Sequence, residues 1–122
     1  MYSTVEIIGA ITHLASSAGV TLFYEETDPE QSFPYGVITD ISNTSDDPFD
    51  TSWSLTIDLW DTEPNAARLE ILCDTLRAAF HGGRITTETA SGRLMFDSQQ
   101  TIPDNEQSLI RRQQSYSARI FG

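Results

Sequence analysis

Apolar residues recur along the chain at two spacings, and the switches between them divide it into elements. Val5, Ile8, Ile11, Ala15 and Ala18 fall three to four residues apart, which predicts an N-terminal helix with one buried face. Ser3 followed by Glu6 has the spacing of a capping box at its start, and Gly19 supplies the stop. Thr21 to Tyr24 reads as a short strand, and the polar segment from Glu25 to Pro34 as a loop. Tyr35 to Ser42 is β-rich, with Val37 and Ile41 on one side and Ile38 on the other. Asn43 to Asp50 is turn chemistry throughout. The clearest strand follows, in which Trp53, Leu55, Ile57 and Leu59 alternate with Ser52, Ser54, Thr56 and Asp58. The strands on either side of the acidic turn are expected to form an antiparallel hairpin.

The spacing then returns to helical. Thr62 is the expected cap and Pro64 sits in the first turn, where its missing amide costs little. Leu69, Leu72, Cys73, Leu76 and Phe80 form the apolar stripe, and Gly82-Gly83 ends the helix. Ile85 to Thr89 is a candidate strand that the order below leaves out, Ser91-Gly92 reads as a turn, and Leu94 to Ile102 as a strand. Pro103 to Glu106 reads as a turn, and Leu109 to Phe121 as the last strand, with Tyr116, Ala118 and Ile120 opposite Arg119 and Phe121. The order α-β-β-β-α-β-β predicts an α+β two-layer sandwich, with two helices on one face of a mostly antiparallel sheet. Residues 1–122 are expected to form one domain, since 122 residues with 39% apolar side chains suffice for one core.

Charge changes this picture. Eighteen acids face seven basic residues, all of them Arg, for a net charge of −11. The imbalance disfavours a nucleic-acid groove or an anionic-membrane binder, both of which need clustered cations. The charge is also unevenly placed. Residues 1–67 hold twelve acids and no Lys or Arg, a net of −12, whereas residues 68–122 hold all seven Arg against six acids, a net of +1. A chain polarised in this way can fold against itself, or set an acidic surface of one copy against the Arg-bearing surface of the next. No apolar run is long enough to span a bilayer, and the N-terminus lacks the basic and apolar regions of a secretory signal. The single cysteine, Cys73, has no internal disulfide partner and fits a reducing compartment.

Templates for catalysis find little to hold. His13 and His81 fall on different helices; His81 lies in the last turn of the second, where a partly positive imidazole suits the helix dipole. Cys73 sits on the apolar stripe as a small buried hydrophobe. One Cys and two separated His have no metal-ligand spacing, and Asp46, Asp47 and Asp50 lack the calcium-loop pattern. No G-x-S-x-G elbow marks a nucleophile, and no glycine-rich loop opens a helix to cradle phosphate. The expectation is a non-enzyme with no catalytic, cofactor or metal site. Arg111, Arg112 and Arg119 on the last strand either guard a sheet edge or pair with acids of a neighbouring subunit. The acidic turn carrying Asp46, Asp47, Phe49 and Asp50 is either a solvated loop or a projecting finger that orders on a neighbour.

The layout as a whole resembles the tail-terminator, or tail-completion, proteins of long-tailed bacteriophages, the family of the lambda-type minor tail protein U. The resemblance rests on the N-terminal helix from Ser3 to Ala18, Phe33-Pro34-Tyr35 leading into Gly36-Val37-Ile38, and the return strand Trp53 to Trp60. Asn65 to Leu72, opening the second helix, and the closing strand pair complete it. It implies a virion protein of the tail and neck, assembled in the host cytoplasm. Copies would form a homo-oligomeric ring, a hexamer in this family, at the head-proximal end of the tail tube. The implied partners are other copies of the chain, the tail tube protein and a neck or connector protein. DNA would pass through the lumen without specific binding, past an acidic wall that repels phosphate. The expected subunit interface draws on Arg111, Arg112, Arg119, Asp46, Asp47, Phe49 and Asp50. Two alternatives remain at this stage: a connector or stopper subunit of the neck, and a free α+β ligand-binding domain unrelated to virions.

Overall fold

The computed structural model describes residues 4–24, 32–47, 50–103 and 108–121, with the side chains of 45–47 and 50 outside that description. Helix α1 (Thr4–Ser17) leads into β1 (Leu22–Tyr24), β2 (Tyr35–Asp47) and β3 (Asp50–Thr62). A 3₁₀ turn (Glu63–Asn65) opens helix α2 (Ala66–Phe80), and β4 (Arg84–Thr86), β5 (Ser91–Thr101) and β6 (Leu109–Phe121) close the fold. The six strands form one mixed sheet in the order β1-β2-β3-β6-β5-β4, in which only β1 and β2 pair in parallel. Both helices bury their stripes against one face of it, so the fold is the predicted α+β sandwich with one strand more than the predicted order.

The core joins Ile7, Ile11 and Ala15 of α1 and Leu69, Cys73, Leu76 and Phe80 of α2 to Trp53, Leu55, Ile57 and Leu59 of β3 and Tyr116, Ala118 and Ile120 of β6. The α2 stripe falls where the spacing places it. That of α1 is rotated: Val5 is 79% exposed, and Ile7 takes the inward position. Gly19, at a φ of 80°, ends α1 in the left-handed region that favours glycine. Ser3, the expected cap, lies outside the described residues, as do residues 104–107 of the expected turn at Pro103 to Glu106.

Four local departures have physical causes. A bulge between Ile38 and Asp40 inserts one extra residue, so Ile38 and Ile41 both meet the helices while Val37 turns to the opposite face. The expected turn from Asn43 to Asp50 is mostly ladder: β2 and β3 pair as far as Asp47 and Asp50. Ser91-Gly92 lies within β5 instead of forming a turn; a Cβ on Gly92 would overlap the Arg119 carbonyl, so glycine here permits close strand approach. The turn lies earlier, where the Thr87 hydroxyl accepts the Ala90 and Thr89 amides at 3.0 and 3.3 Å. Finally, Thr62 does not cap α2 with its side chain; its hydroxyl instead accepts the Asn65 side-chain amide Nδ2 at 2.6 Å.

Candidate functional site

Period-two alternation on β3 and β6 sends one set of side chains into the core and the other to the sheet face that carries no helix. That outer face divides into a centre, where Asp58 and Arg111 pair within the subunit, and an edge, where arginines stand side by side.

At the centre, Asp58 is 1% exposed although it alternates with the core residues of β3. It accepts hydrogen bonds from Arg111 at 2.6 Å and Gln113 at 3.0 Å. The Arg111 guanidinium lies 5.2 Å from the Trp60 ring centroid, and Tyr35 joins Trp60 to Phe33 and Phe23 in a run of ring contacts. Arg112 points to the other face and pairs with Glu70 of α2 at 2.7 Å. A third pair joins β3 to α2. The buried Asp61 carboxylate takes a two-pronged bond from Arg68 at 2.7 and 2.5 Å and accepts the Thr62 amide at 2.7 Å. Burial works against its ionisation, but these bonds and the guanidinium charge outweigh it and hold the carboxyl below its ordinary range.

Beneath α2 lies a buried polar chain that the alternation pattern does not reveal. The Tyr116 hydroxyl donates to Gln114 Oε1 at 2.6 Å, and Gln114 Nε2 donates to the Cys73 carbonyl at 3.0 Å and Gln99 Oε1 at 2.8 Å. Burial pushes the Cys73 thiol up to about 12 with help from the nearby Glu70 charge, as suits a packed side chain without thiolate chemistry. His81 caps α2, and its Nδ1 accepts the Phe96 amide at 3.1 Å. This bond ties the end of the helix to β5.

At the edge, register sets three arginines in a row: Arg84 opposite Arg93, and Arg93 opposite Arg119. Like charges directly opposite one another destabilise a sheet. Arg93 donates to the Gly82 carbonyl at 3.0 Å, and among the described residues neither Arg84 nor Arg93 has a carboxylate partner. The row lines an open groove of about 430 Å³ flanked by Met95 and Phe121, which are 45% and 51% exposed.

Of the residues singled out from sequence, Arg111 and Arg112 form ion pairs within the subunit, and Arg119 lies opposite Arg93 in the row. Asp50 is held in register against Phe121 beside that row, Asp46 and Asp47 end β2, and Phe49 lies outside the described residues. Arg84 and Arg93 were not singled out; their only signal is the strand pairing itself. Among the described residues, no group of three or more His, Cys, Asp or Glu is placed to hold a metal ion. No described helix is long and apolar enough to cross a membrane.

No protein-family model matches the sequence, and no curated protein matches it. Among solved structures, the fold is shared with a chain described as "Virion of native gene transfer agent (GTA) particle", at a TM-score of 0.75 and 16% identity over all of both chains. This chain is therefore similar in fold, along its whole length, to a virion component.

Proposed function

We propose that this chain is a structural protein of a phage-like particle, acting as a tail terminator. A ring of copies docks on the last ring of the tail tube, ends tube polymerisation and offers its other side to the neck. The observation that carries the reading is the fold shared, end to end, with a chain of a gene transfer agent virion. An acidic surplus of −11 suits a part that duplex DNA must pass without adhering, because phosphates are repelled from a negative wall.

The test is to assemble particles with and without the protein and image them by electron microscopy. A terminator's loss gives overlong tubes without heads. Tubes of normal length that fail to join filled heads would reassign it to the connector or stopper role. Particles unchanged in both respects would remove it from the virion.

A further inference from the structure

Strand order converts the charge asymmetry of the sequence into a lateral one. β1, β2 and β3, the acidic side of the sheet, carry Asp40, Asp46, Asp47, Asp50, Asp58 and Asp61 and no cation. β6, β5 and β4, the other side, carry Arg84, Arg93, Arg111, Arg112 and Arg119 and a single acid, Asp97. Internal pairing then removes the charges nearest the middle: Asp58 with Arg111, Arg112 with Glu70, and Asp61 with Arg68. Among the described side chains this leaves an exposed Asp40 on one flank, on the strand whose sequence ends in Asp46 and Asp47, and Arg84 and Arg93 beside the groove on the other.

We propose that copies of this chain join head to tail through these flanks, the arginine row of one subunit receiving the acidic β2 flank of the next. Three points carry it. Arg84 and Arg93 stand directly opposite one another, repel, and fit an anionic partner. A second copy supplies that anion on the opposite side of the same sheet, so a single rotation repeated from copy to copy satisfies every subunit. Unlike surfaces meeting in this way give closed rings or open filaments, whereas a two-fold contact would set like against like. Met95 and Phe121 add apolar area at the groove. The inference deepens the terminator reading and rests on it for the closure of the series into a ring.

Two charge-reversed variants test it: Arg84→Glu with Arg93→Glu, and Asp40→Arg with Asp46→Arg and Asp47→Arg. Circular dichroism confirms that both remain folded, and sedimentation measures assembly at low and high salt. Wild type assembles into multiples of the 13.6 kDa subunit, and assembly weakens as salt rises. Each variant alone associates at least tenfold more weakly. Mixed in equal amounts they assemble again, because the reversed surfaces complement one another in alternation. Variants that assemble like wild type, a mixture that stays monomeric, or a wild type that never self-associates would overturn the inference. So would duplex DNA binding by wild type that the arginine variant abolishes, which would assign the row to nucleic acid. Failure here through a different subunit contact leaves the terminator role standing, while normal tube length without the protein refutes that role and leaves the contact intact.

Discussion

Arg111 and Arg84 are the same residue type on the same sheet face, and they do opposite things. Arg111 lies over a buried carboxylate and an indole in the middle of the sheet, with a quarter of its side chain exposed. Arg84 stands on the edge opposite another arginine. The difference lies in strand register. The first position faces Trp60 on β3 and reaches Asp58 diagonally, whereas the second meets only β5. A guanidinium in the interior of a sheet is part of the fold, and one on the rim is free to serve contacts between molecules.

The sharpest way to break that comparison is Arg111→Glu. It leaves Asp58 buried beside a like charge, and urea unfolding is expected to show a loss of about 3–5 kcal/mol. Arg84→Glu supplies the contrast at the bottom of the scale, within about 0.5 kcal/mol of wild type. Equal effects from the two would erase the distinction between centre and edge.

Gln114→Leu comes next. It strands the Tyr116 hydroxyl in the core and removes a second donor from the Cys73 carbonyl, at a cost of about 2–3 kcal/mol by thermal or urea unfolding. A neutral result would mean that the polar chain beneath α2 contributes no net stability. Asp61→Asn is smaller, at about 1–2 kcal/mol near neutral pH, because its partner Arg68 is half in solvent and screened. Its pH signature is specific. A carboxyl held below its ordinary value of 3.8 contributes stability that is present above that value and lost as pH falls through the lowered one. The gap between wild type and Asp61→Asn therefore narrows under acid and is flat from pH 5 to 7. A gap independent of pH would show that the charge on Asp61 is immaterial.

The sequence made the architecture legible wherever a period ran unbroken. The α2 stripe and the β3 alternation both landed on the observed core. The α1 stripe turned because Val5, Ile7, Ile8 and Ile11 satisfy two helical phases, and only the sheet beneath selects one. Val37 and Ile38 changed sides because a bulge at Thr39 has no composition of its own. The site was least legible for the same reason that long-range register is. Asp58 and Arg111 are 53 residues apart, and nothing local distinguishes that arginine from Arg119 eight residues on. The asymmetry of charge was plain in the sequence, but strand order was needed to lay it across the width of the sheet.

The β3–β6 ladder runs from Asp50–Phe121 to Thr62–Leu109 without a register shift, while β1 and β4 hold the margins with three residues each. Backbone amides in that central ladder should exchange with deuterium only when the whole molecule opens, and the marginal ones through local breathing. The margins of the sheet are thus the parts of the protomer that fray most easily. Under the proposed head-to-tail contact, a neighbour seated beside Arg84 would quiet the β4 margin, so part of the subunit's rigidity would come from its company.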